Sequence, residues 1–152
     1  METIPASVLV IENHPMMRSA LCSAIAAEPD LKVVESNINA KESLTISILD
    51  DVLFLSSKPD IVLFALGSPG RDELEALKAL CKTLPCTPIM ALTSNEVPGQ
   101  EQAALEAGAQ AVLTKAASRA ELIGKLCELR TKAFLNHSES KLEQEANRNI
   151  SK

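Results

Sequence analysis

Ile61-Val-Leu-Phe-Ala-Leu66 is a run of six apolar residues. It is entered through Lys58-Pro59-Asp60 and left through Gly67-Ser68-Pro69-Gly70. The run is too short for a core helix and is bounded by turn residues on both sides, so it reads as a strand. Because no polar residue alternates within it, both of its faces must be covered, as in the centre of a parallel sheet between helical layers.

Working outward, the same signal recurs with helical patterns between. Val8-Leu-Val-Ile11 is a strand that stops at Glu12-Asn13-His14, and Pro15 then suits a first helical turn. Over 16–27, Met17, Ala20, Leu21, Ala24 and Ile25 recur at helical spacing, and Leu31-Lys-Val-Val34 is a second strand. Leu44, Ile48, Val52 and Leu55 mark one face of a further helix. Beyond Gly70, Leu74, Leu77, Leu80 and Cys81 form the buried stripe of the next helix, followed by the strand Thr87-Pro-Ile-Met-Ala-Leu-Thr93. A short helix over 100–107 closes on Gly108, a residue suited to a helix end. Ala111-Val-Leu-Thr114 is the fifth strand, with Lys115 at its end. Ser118 with Glu121 three residues later is a capping box, opening a helix that carries Leu122, Ile123, Leu126 and Leu129 and is expected to end near Leu135.

Five strand–helix units with short links predict an α/β fold, a doubly wound five-stranded parallel sheet with helices on both faces. In such a sheet, sites gather at the carboxyl ends of the strands. Here those ends are Glu12-Asn13, Ala65-Leu66-Gly67, Thr93-Ser94 and Lys115.

Composition narrows the function. The 152 residues include no Trp or Tyr and three Phe, which removes the aromatic platforms on which single-stranded nucleic acids stack. The net charge of −5 disfavours direct binding to nucleic acid or to an anionic membrane. Residues 1–135 hold 17 acids and 12 bases, whereas 136–152 hold three of each. Met1-Glu-Thr-Ile-Pro5 lacks a basic leader, and the apolar runs are too short to span a bilayer, so a cytoplasmic protein is expected. Cys22, Cys81, Cys86 and Cys127 are scattered without a metal-binding spacing, which predicts reduced thiols rather than a zinc site.

Val8-Leu-Val-Ile-Glu-Asn-His-Pro15, Pro59-Asp-Ile-Val-Leu-Phe-Ala-Leu-Gly-Ser-Pro-Gly70, Ile89-Met-Ala-Leu-Thr93 and Gly108-Ala-Gln-Ala-Val-Leu-Thr-Lys115 together resemble the receiver domain of two-component response regulators over about residues 7–130. The resemblance implies the flavodoxin-like receiver fold. In that family an Asp ending the third strand accepts a phosphoryl group from a histidine kinase. Two acids after the first strand hold Mg²⁺, a hydroxyl residue ends the fourth strand, and a Lys ends the fifth.

The carry-over is partial. Glu12, Thr93 and Lys115 match, but Asn13 stands in place of the second acid and Ala65 in place of the acceptor Asp. Ala65 offers no nucleophile, and Glu12 alone is too little charge for useful Mg²⁺ affinity, so Mg²⁺ binding is expected to be weak or absent. Val112 occupies the place of a frequently aromatic switch residue. Glu12, Asn13, Ala65, Thr93 and Lys115 therefore read as a degenerate phosphorylation pocket, with no catalytic residue and no cofactor. Without an Asp partner, Lys115 is expected to pair with Glu12 across the strand ends. Ser68 reads as a turn residue, Asp72 as a first-turn acid and His14 as a loop-and-cap residue.

The expected function is a phosphorylation-independent pseudo-receiver that binds a histidine kinase, another regulator or itself. The family's fourth-helix, fifth-strand, fifth-helix face is the candidate surface, where Ala103, Ala104, Ala107, Ala111 and Ala120 would allow close approach in a homodimer. Two alternatives stay open: a switch phosphorylated at a nonstandard residue, and an anion sensor using Thr93 and Lys115. The chain divides at this stage into a receiver-like domain over 1–135 and a polar tail over 136–152, flexible or weakly helical, with no second domain expected after it. Leu142, Ala146 and Ile150 form the tail's apolar stripe.

Overall fold

The computed structural model describes residues 4–12, 14–34, 59–66, 71–94 and 98–150, with 71–72 and 135–150 as backbone only. In chain order the elements are β1 (Ala6–Ile11), α1 (Pro15–Ala26), β2 (Leu31–Val34), β3 (Ile61–Ala65), α2 (Arg71–Thr83), β4 (Ile89–Thr93), α3 (Gln100–Ala107), β5 (Ala111–Thr114) and α4 (Arg119–Ile150). The helix expected around Leu44–Leu55 lies outside the described residues.

The strands form one parallel sheet in the order β2-β1-β3-β4-β5. The uniformly apolar run is its central strand. Strand alternation sends neighbouring residues to opposite sides. Leu9, Ile11, Val62, Phe64, Ile89 and Ala91 pack with Ala76, Leu77 and Leu80 of α2 and Ala104 of α3. Val8, Val10, Ile61, Leu63, Ala65, Met90 and Leu92 pack with Leu21 and Ile25 of α1 and Leu122, Leu126 and Leu129 of α4. Two aliphatic layers thus sandwich the sheet, which is why the strands carry no polar face. At the opposite edge from the strand carboxyl ends, Ser7 and Asp60 bind each other reciprocally: Ser7 N–H donates to Asp60 Oδ2 at 2.9 Å, and Asp60 N–H donates to Ser7 Oγ at 2.9 Å. That exchange fixes the start of β3 beside β1.

Several local expectations need correction. In α1 only Leu21 and Ile25 are buried; Met17 and Ala20 are exposed, because alanine-rich spacing does not identify which side of a helix is covered. Ala104 and Ala111 belong to the core rather than to an outer face. On α3 it is Leu105 that stands out, 48% exposed. α4 does not stop near Leu135 but continues as helix to Ile150. At its start Ser118 Oγ accepts the Glu121 N–H at 3.1 Å, the capping bond expected from the sequence.

Gly108 ends α3 at φ 115, and its turn lies against α2. A Cβ there would sit 2.9 Å from Cys81 Cβ, so only glycine meets both the left-handed backbone and the contact. None of the four cysteines forms a disulfide. Burial raises the thiol pKa of Cys81, and burial followed by the charges of Asp30 and Glu28 raises that of Cys127, which keeps both protonated and poorly nucleophilic.

Candidate functional site: a closed strand-end cluster

The parallel strands place Glu12, Ala65, Thr93 and Lys115 at one end of the sheet. Glu12 follows β1, Ala65 ends β3, Thr93 ends β4 and Lys115 follows β5. Backbone bonds hold these ends in register: Leu66 N–H donates to the Leu92 carbonyl and Lys115 N–H to the Thr93 carbonyl, each at 2.8 Å. Asn13 lies outside the described residues, as do Gly67, Ser68, Pro69 and Gly70.

Glu12 and Lys115 are brought together as the sequence suggested. Lys115 Nζ is 3.6 Å from Glu12 Oε2. The strand order puts the ends of β3 and β4 between them, so the two side chains reach toward each other across about 14 Å of backbone at the usual strand spacing. The Glu12 side chain is only 4% exposed and that of Lys115 24%. Glu12 Oε1 accepts the His14 N–H at 3.0 Å, while among the described residues buried Oε2 has no hydrogen bond and faces only the ammonium. His14 contributes backbone rather than a ring ligand to this contact, and Pro15 behind it starts α1.

The remaining polar groups are also turned inward. Thr93 is fully buried, and its hydroxyl donates to the Leu113 carbonyl at 3.4 Å. Ser94 N–H donates to Gln100 Oε1 at 2.6 Å. Sequence reasoning missed Gln100, since a polar residue following a polar loop carries no periodic signal. Ala65, 6% exposed, adds only a methyl group to the apolar layer containing Val10, Met90 and Leu92.

This donor set does not suit a hard divalent cation. One carboxylate is available among the described strand-end residues, with one oxygen taken by an N–H and the other facing an ammonium. Such a cation needs several anionic or carbonyl oxygens free to turn toward it. Among the described residues no group of three His, Cys, Asp or Glu side chains converges elsewhere.

A family model for the response regulator receiver domain matches residues 8–127. The chain belongs to the response regulator receiver domain family. This receiver domain is 30% identical over 115 residues to the transcriptional regulatory protein LiaR of Bacillus subtilis, covering 76% of the chain and 51% of LiaR. It is 31% identical over 116 residues to the response regulator GacA of Pseudomonas viridiflava, covering 76% of the chain and 51% of GacA. The chain thus spans about half the length of these curated relatives. In fold it is similar to the crystal structure of a two-component response regulator of the LuxR family from Aurantimonas sp. SI85-9A1, with a TM-score of 0.66 at 21% identity over 91% of the chain and 99% of that structure. The five-stranded parallel receiver fold is therefore shared, and the strand ends just described are those of a receiver domain. Among the described residues, no helix is long and apolar enough to cross a membrane.

Proposed function

We propose that this receiver domain acts in two-component signalling as a phosphorylation-independent interaction module, a cytoplasmic pseudo-receiver that binds proteins rather than accepting a phosphoryl group. The observation that carries this reading is Ala65 ending β3, a strand lying between those that Glu12 and Lys115 follow, together with the Glu12–Lys115 ion pair. The acceptor carboxylate is replaced by a methyl group, and the cation that would meet a phosphoryl oxygen is neutralised within the chain. Asn13 reduces the anionic oxygens further.

Incubation with acetyl phosphate and Mg²⁺ is expected to leave the intact mass unchanged, and beryllofluoride with Mg²⁺ to leave the amide NMR spectrum unchanged. A phosphoryl adduct on any residue would overturn the reading and favour a switch using a nonstandard acceptor.

The partner is proposed to be a histidine kinase, another regulator or a second copy, bound on the face made by α3, β5 and the first turns of α4. Leu105 supports this surface: a large apolar side chain left 48% exposed on a helix whose neighbouring Glu101, Gln102 and Glu106 are exposed and polar. Leu105→Arg is expected to leave folding stability within about 0.5 kcal/mol, as for most surface substitutions. It should also shift the sedimentation of the chain toward monomer or abolish capture by a co-expressed kinase. Unchanged sedimentation and unchanged capture would remove Leu105 from the surface. In this reading the body over 1–135 carries the interaction face, and α4 continues beyond it to Ile150.

A further inference from the structure

Three features meet where β4 hands over to α3. Gly99 has a left-handed backbone, φ 78, and no side chain caps the helix it precedes. Gln100, the first residue of α3, is only 6% exposed, although Glu101 and Gln102 beside it are open to solvent. Its Oε1 reaches back to accept the Ser94 N–H at 2.6 Å. Thr93, immediately before Ser94, is a fully buried member of the strand-end cluster, and its carbonyl receives the Lys115 N–H. One glutamine therefore ties the end of β4 to the beginning of α3, with left-handed Gly99 directly before it.

We propose that Gln100 is a positioning residue, a latch that ties Ser94 to the start of α3 by accepting the Ser94 amide and thereby fixes the first turn of α3 without any phosphoryl group. The inference rests on the interaction-module reading, because that first turn is the end of the proposed binding face nearest the strand ends. The latch acts locally. Ala104 anchors the rest of α3 in the core with Ala76, Leu77 and Leu80, so releasing Gln100 frees the first turn and leaves the sheet intact. Ala103 N–H, which donates to the Gly99 carbonyl at 3.0 Å, reports on that turn.

Amide hydrogen exchange on the full chain tests this with three variants. Gln100→Met keeps length and bulk but loses the acceptor. Gln100→Asn keeps the amide but is one methylene too short. Gln100→Glu keeps an acceptor oxygen at full length, in a first helical turn that favours a carboxylate. Exchange at Ser94 and Ala103 is expected to rise about tenfold in the Met and Asn variants, as for loss of a local protecting bond, with β4 amides unchanged. Gln100→Glu is expected to retain the parent protection. Parent-like exchange at Ser94 in both Met and Asn variants would overturn the latch, as would a Glu variant as unprotected as Met. No phosphodonor or partner enters this measurement. A phosphoryl adduct in the earlier experiment would sink the interaction-module reading alone, and unchanged Ser94 exchange would sink the latch alone.

Discussion

Lys115→Met is expected to lower unfolding stability by about 2–3 kcal/mol in urea denaturation, more than its partial exposure alone would suggest. The cause is the group it leaves behind. The Glu12 side chain is 4% exposed; His14 N–H satisfies Oε1, and among the described residues Oε2 has only the ammonium, 3.6 Å away. Removing the cation strands a buried carboxylate, a change that in deep interiors costs about 3–5 kcal/mol. Lys115 keeps contact with water at 24% exposure, and the pair is long for a hydrogen bond, so the expectation lies below that range. Glu12→Gln should cost less, about 1 kcal/mol, since the amide oxygen can still accept the His14 N–H and the freed ammonium can turn outward. The double variant Glu12→Gln/Lys115→Met is expected to recover most of the loss, because no uncompensated charge remains. If Lys115→Met costs no more than Glu12→Gln, the ion pair is a surface contact and does not lock the strand ends.

That ion pair was legible from sequence for a specific reason. Glu12 and Lys115 each directly follow a strand whose limits are set by apolar runs, and parallel strands bring their carboxyl ends together whatever lies between. β2, α3 and β5 were readable to the residue because each ends on a strong breaker or charge: Glu35 after Val34, Gly108 after Ala107, Lys115 after Thr114. Where alanine dominates, the pattern loses its direction. Ala20 is exposed while Ala104 and Ala111 are buried, and nothing in their spacing separates them, since alanine contributes little to an amphipathic stripe. The length of α4 was hidden for a related reason. Residues 136–152 show only a thin apolar stripe, and local sequence of that kind leaves a helix marginal unless it continues one already nucleated, as Arg119–Ile150 does. Gln100 was invisible because its hydrogen bond to Ser94 is a tertiary feature with no periodic trace.

Restoring the missing carboxylates is expected to have the largest effect of all, and in opposite directions with and without a cation. Ala65→Asp alone should destabilise the domain by about 3–4 kcal/mol in metal-free buffer, measured by urea denaturation, because it places a charge at a nearly buried position. Ala65 is 6% exposed, shares its layer with Val10, Met90 and Leu92, and ends the strand next to β1, which Glu12 follows. The new carboxylate would compete with Glu12 for Lys115, so one ammonium would face two anions. Adding Asn13→Asp raises the local negative charge again and supplies a further hard oxygen. Millimolar Mg²⁺ should then stabilise Ala65→Asp/Asn13→Asp by about 2–3 kcal/mol, the linkage expected near a hundredfold excess over the dissociation constant, and leave the parent chain unmoved. Acetyl phosphate should add a phosphoryl group to this double variant and to nothing else. A parent chain stabilised equally by Mg²⁺ would show that Glu12 and the backbone already suffice for the cation. A double variant blind to Mg²⁺ would show that the strand ends have diverged beyond two substitutions, with the Glu12–Lys115 lock rather than the lost carboxylates keeping the cation out.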